Sequence, residues 1–105
     1  MQNQQIIKMR GLIGIANKAG YIIYGSDNLK DYSKKLYLII KSTDAGKNLN
    51  KIANDMRQIP NVEYVELDKS IMEQITNSAN CKIFAIKNKG LSEQILKIIR
   101  GENIG

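Results

Sequence analysis

The sequence predicts an α/β fold, a three-layer α/β/α sandwich with a central mixed sheet of about four strands. Three observations lead there. Helical-period stripes alternate with short β-branched runs along the chain. One of those runs, Leu36-Tyr37-Leu38-Ile39-Ile40, is apolar without interruption, and 105 residues suffice for one core but not two. Alternating helices and strands imply a sheet with helices packed on its faces. An unbroken apolar strand implies burial on both sides. Residues 1–105 are accordingly read as a single domain.

The first element is a helix from about Gln4 to Lys18, because Ile6, Ile7, Met9, Leu12, Ile13, Ile15 and Ala16 form a broad apolar stripe. Gly11 and Gly14 each cost about 1 kcal/mol there relative to alanine, which predicts close approach of another backbone to that face. Gly20 supplies a left-handed stop. Tyr21 to Tyr24 is a short strand, and Gly25-Ser26-Asp27 turns into a short helix reaching about Lys34. Leu36 to Ile40, bounded by Lys35 and Lys41, is the central strand.

Ser42-Thr43-Asp44 offers caps for a third helix, whose apolar residues Leu49, Ile52, Ala53 and Met56 recur every three or four positions up to Ile59-Pro60. Val62, Tyr64 and Val65 mark a strand. Asp68 caps a helix carrying Ile71, Met72 and Ile75, and Asn77-Ser78-Ala79-Asn80 is a polar loop. Ile83 to Ile86 is a fourth strand, followed by a helix with Leu91, Ile95, Leu96, Ile98 and Ile99.

Composition narrows the function. No apolar run approaches the roughly 20 residues of a membrane span, and the polar start Met1-Gln2-Asn3-Gln4-Gln5 lacks the apolar segment of a secretory leader. With Cys81 the only cysteine, no intrachain disulfide can form, and a cytoplasmic location is expected. A formal charge of +6 favours polyanionic partners through counterion release, or serves only as solubilising surface. Linear order leaves open whether Lys8, Arg10, Lys34, Lys35, Lys41, Lys82, Lys87 and Lys89 converge on one face.

Catalytic chemistry finds little support. The chain has no histidine, which removes the usual proton carrier at neutral pH and the commonest metal ligand. Cys81 has no base to activate it and reads as a small packed residue beside a strand. Asp44-Ala45-Gly46-Lys47-Asn48 superficially matches part of a phosphate loop, but Lys41 stands where its first glycine belongs and Asn48 where its hydroxyl residue belongs. The expectation is a non-catalytic protein with no metal and no cofactor. What remains is Gly25-Ser26-Asp27-Asn28 with Lys30 a turn later. Backbone N–H groups at a helix start attract phosphate, and a short amide can meet a base edge. The same residues also suit a plain helix cap followed by solvated lysines.

Gly11-Leu12-Ile13-Gly14-Ile15-Ala16-Asn17-Lys18-Ala19-Gly20, Tyr24-Gly25, Lys35 to Ile40 and Thr43 to Asn48 together resemble, in order and approximate spacing, the kink-turn-binding ribosomal proteins. More narrowly, nearly the whole chain is similar to their small bacterial stand-alone branch of the YlxQ type. The resemblance implies the same three-layer sandwich and structured or ribosomal RNA as the partner. It also implies an RNA grip made by the second helix start and the loop before the fourth strand. Those regions match Gly25, Ser26, Asp27, Asn28 and Lys30, and Asn77, Ser78, Ala79 and Asn80. Here Met72-Glu73 replaces the superfamily's usual Leu-Gly pair. In this reading Gly25 and Ser26 present donors to phosphate, Asp27 and Asn28 meet base edges, Lys30 neutralises charge and residues 77–80 close over splayed bases. The competing expectation is a protein–protein adaptor using a strand edge or the apolar helix that begins at Ile6.

Overall fold

A computed structural model of the chain describes residues 1–30, 35–78 and 80–101. The elements are α1 (Asn3–Lys18), β1 (Ile22–Tyr24), α2 (Ser26–Lys30), β2 (Leu38–Ser42), α3 (Lys47–Met56), β3 (Glu63–Leu67), α4 (Lys69–Thr76), β4 (Ile83–Ile86) and α5 (Lys89–Ile99). The four strands form one mixed sheet in the order β1-β4-β2-β3. The pair β2/β3 is parallel, and β4 runs antiparallel to both β1 and β2.

Period-two alternation along the interior strands divides the core in two. Leu38, Ile40, Phe84 and Ile86 face α1, α4 and α5, where Met9, Ile13, Met72, Ile75 and Ile95 complete the larger cluster. Ile39, Ile83 and Ala85 face the other way and pack with Leu29, Ala53 and Met56 of α2 and α3. Every residue of β2 and β4 is buried, as two covered faces require. The α/β/α sandwich expected from the sequence is the observed architecture.

Local chemistry explains the element ends. Gly20, at φ +75°, closes α1 with Tyr21 N–H donating to the Ala16 carbonyl at 2.8 Å and Gly20 N–H to Asn17 at 3.1 Å. This is a Schellman stop, and it bears out the role expected of that glycine. Asp68 accepts from Ile71 N–H at 2.9 Å, the cap expected for α4, and Asn88 does the same for α5 through Leu91 N–H.

Three local expectations are corrected. The central strand runs two residues later than the apolar run suggests, with Lys41 and Ser42 inside it and only 4% and 0% exposed. A charged residue fits there because Lys41 Nζ donates to Asn50 Oδ1 at 2.7 Å and to the Ser42 carbonyl at 3.0 Å. It also lies 3.8 Å from Glu66 Oε2. Secondly, α3 is not capped by Ser42, Thr43 or Asp44. Its N-cap is Gly46, with no side-chain cap, because Ser42 belongs to β2 and Asp44 binds Ser42 and Lys82. The same helix stops at Met56, before Pro60, as three-residue turns tighten the chain at Gln58 and Ile59. Thirdly, Gly11 and Gly14 face solvent, and an added Cβ at either would meet nothing within 4 Å. Among the described residues no backbone lies against them. The expected end of the second helix, near Lys34, lies outside the described residues.

Candidate functional site

At one end of the sheet, where β1 stops and β4 begins, the chain forms an open cleft of about 750 Å³. Gly25 builds the first wall. Its φ of +85° is left-handed, which glycine tolerates without strain. Its N–H donates to the Ile83 carbonyl at 3.1 Å, and its own carbonyl accepts from Leu29 N–H at 3.2 Å. This one residue therefore ends β1, starts α2 and ties both to the first residue of β4. The opposite wall is the connection from α4 to β4, where Thr76 Oγ1 donates to the Met72 carbonyl at 2.6 Å and Asn80 N–H donates to Ser78 Oγ at 3.2 Å.

Gly25 and Ser26 thus share a cleft with Ser78 and Asn80, about fifty positions later in sequence. The two segments picked out from the sequence do converge. Other picks stand apart from the lining. Asp27, Asn28 and Lys30 are exposed on α2 beyond the rim. Asn28 Nδ2 donates to the Tyr24 carbonyl at 2.8 Å, while Lys30 borders a separate apolar groove with Leu36 and Met56. Asn77 is exposed at φ +55° and makes the left-handed turn that ends α4, a backbone task suited to asparagine. Ala79 lies outside the described residues.

The cleft also contains residues that sequence reading did not select: Tyr24, Asn17 from the end of α1, Asn48 from the start of α3, Thr76 and Lys82. Asn17 sits in the Gly-rich string that carries the family resemblance, and Asn48 at the end of the failed phosphate-loop pattern, so both lay within a signal. Their convergence depends on strand order, which neither string reveals. Among the described residues lining the cleft, Lys82 is the only charged one and the polar remainder are amides and hydroxyls. The other basic residues do not gather here. Lys41 is buried, Lys8 borders a groove between α1 and α5, Lys35 lines the groove beside Lys30, and Lys89 lies near Arg100. Lys34 lies outside the described residues.

Lys82 Nζ donates to Asp44 Oδ2 at 3.0 Å, and Asp44 Oδ1 accepts from the Ser42 hydroxyl. These two bonds hold the Asp44 carboxyl below the ordinary aspartate range, Ser42 contributing most. Burial pushes the Cys81 thiol up, the opposite of what a thiolate nucleophile needs. It also raises the Tyr24 phenol, with a smaller contribution from Cys81. Among the described residues no three His, Cys, Asp or Glu side chains group as metal ligands would. Chemically the cleft offers hydroxyl and amide groups, one aromatic ring and one ammonium.

No described helix is long and apolar enough to cross a membrane. No protein-family model and no curated protein matches the sequence. Among solved structures, the chain is similar to a protein of unknown function from Bacillus halodurans, at 18% identity and a TM-score of 0.66. The match covers 89% of this chain and 97% of that one, so the likeness extends over essentially the whole fold. At that identity it speaks to fold alone.

Proposed function

We propose that the protein binds structured RNA of the kink-turn or ribosomal kind, as a non-catalytic member of the superfamily its sequence resembles. The observation that carries the reading is the convergence of Gly25 and Ser26 with Ser78 and Asn80 on one cleft whose described lining contains no carboxylate. Unstacked bases are recognised by hydroxyl and amide groups on their polar edges and by aromatic rings on their faces. Tyr24 and the surrounding amides supply both. Ser26 offers a backbone donor to phosphate, the Gly25 N–H being taken by the Ile83 carbonyl, and Ser78 and Asn80 share the cleft with it, while Asp27, Asn28 and Lys30 extend the contact over the exposed surface of α2 beyond the rim. A cytoplasmic location goes with this reading, since Cys81 stays reduced there.

A fluorescence titration against a kink-turn hairpin and a straight duplex of equal length, repeated across a salt series, tests it. Tighter binding to the kink-turn that survives physiological salt supports the proposal. Equal and steeply salt-dependent binding to both RNAs would reduce it to non-specific charge attraction.

The adaptor reading also has a specific observation in its favour. Ile7 and Ile15 are 64% and 58% exposed on the outer face of α1, beside the unshielded Gly11 and Gly14. Failure of RNA binding would move attention to that face.

A further inference from the structure

We propose that Asp44 is a built-in competitor for RNA phosphate, holding Lys82 until a phosphate in the cleft displaces it. The inference rests on the RNA-binding reading and adds to it the residue that sets how readily the cleft accepts a backbone.

The geometry is specific. Ser42, fully buried at the end of β2, anchors both partners: its N–H donates to the Lys82 carbonyl at 2.8 Å, and its hydroxyl donates to Asp44. The loop bearing Asp44 is fixed further by Thr43 N–H donating to the Leu67 carbonyl at 2.9 Å and by Asn50 Nδ2 donating to the Ala45 carbonyl at 3.1 Å. With both backbones pinned, the Lys82 side chain is the part free to move. Its four-carbon stem carries a compact charge that can swing between oxygens. The pair is accessible, with side-chain exposures of 30% for Lys82 and 37% for Asp44, so exchange needs no unfolding. Because Lys82 is the only charged residue among the described ones lining the cleft, its neutralisation by Asp44 leaves that lining without net charge. An RNA that fits must provide a phosphate in place of the carboxylate. Non-specific polyanions gain little from the cleft until they do.

Asp44→Asn keeps the size of the side chain and removes its charge. The expected result is kink-turn binding about two- to fivefold tighter, the range spanned by exposed ion pairs. The slope of log K against log salt should change by less than the roughly 0.9 of one phosphate contact, since Lys82 meets the same phosphate in both complexes. The straight duplex should be unaffected, since it does not enter the cleft. In a Lys82→Gln background the gain from Asp44→Asn should vanish. An equal gain with and without Lys82 would overturn the proposal, because Asp44 would then be repelling RNA on its own account. No gain in the Lys82 background would overturn it as well.

The free protein gives a second readout. In carboxyl NMR titrations Asp44 should ionise at lower pH in the wild type than in Lys82→Gln, and coincident curves would show that no pair exists. Failure of the underlying reading looks different. A normal Asp44 titration with no preference for the kink-turn by any variant would remove the RNA partner, and the competitor role with it, while leaving the ion pair intact.

Discussion

Replacing Lys41 by methionine removes a buried ammonium while retaining most of its apolar stem, and the structure fixes the expected cost. Two hydrogen bonds from a charged donor disappear, to Asn50 Oδ1 at 2.7 Å and to the Ser42 carbonyl at 3.0 Å. Bonds of that kind contribute about 1.5–3 kcal/mol each. Against this loss stands the relief of an ammonium desolvation penalty of several kcal/mol. The contact with Glu66 is too long, at 3.8 Å, and its partner too exposed, to weigh much on either side. A fully apolar replacement would come out near neutral, but here the Asn50 and Ser42 oxygens stay behind without their donor, at about 1–3 kcal/mol for each one kept from water. The net expectation is a loss of about 2–3 kcal/mol, or roughly 8–20 °C in Tm for a domain of this size. Urea unfolding followed by circular dichroism measures it. Because Asn50 also holds the Ala45 carbonyl, Lys41→Met and Asn50→Ala should couple by more than about 1 kcal/mol in a double-mutant cycle. A loss below about 0.5 kcal/mol, or strict additivity, would refute the view that the Lys41 charge organises the loop between β2 and α3.

Other perturbations test other parts of the argument. Gly11→Ala and Gly14→Ala should each stabilise the protein by about 0.5–1 kcal/mol in thermal melts, since helix propensity improves and the new methyl meets nothing. Asp68→Ala should cost about 1 kcal/mol in the same assay through loss of the cap on α4. Gly25→Ala, forced to φ +85°, should cost about 1–2 kcal/mol and weaken kink-turn binding by more than its exposed position alone would suggest. Burial, reinforced by the Glu66 carboxylate, pushes the Tyr64 phenol up to about 12, so its absorbance transition should come later than that of an ordinary tyrosine and move down in Glu66→Gln. The folded state then keeps a proton that the unfolded chain releases near pH 10. The stability linked to Tyr64 is therefore complete below pH 10 and falls as pH rises toward 12.

What the sequence revealed followed the physics of each signal. Helical stripes, the Gly20 stop and the Asp68 cap that starts α4 depend on neighbours within a few residues, and all appear where local rules put them. The end of β2 lies beyond the apolar run because hydropathy treats Lys41 as a boundary, whereas its buried ammonium is hydrogen-bonded by Asn50, nine positions on and in another element. The cap of α3 was missed for a related reason: Asp44 is chemically a good cap but finds a better partner in Lys82, 38 positions away. The cleft shows the same division. Gly25 and Ser26 are conspicuous as a turn, while Asn17, Asn48 and Lys82 become neighbours only through a strand order that no single segment encodes.

That strand order has a consequence for the chain as it is being made. Among the described strands β4 is the last to be synthesised, yet it lies in the interior of the sheet, and it is the one to which β1 is hydrogen-bonded. Until residues 83–86 are available, β1 lacks this partner, Gly25 lacks the Ile83 carbonyl, and the wall of the cleft that leads into β4 is not yet in place. Completion of the sheet therefore waits on contacts between residues some sixty positions apart, the kind that form slowly because a long loop must close first. The surface proposed to meet RNA comes into being with the final long-range pairing, so a nascent or truncated chain that stops short of β4 would carry the first half of the site in a form unable to grip anything.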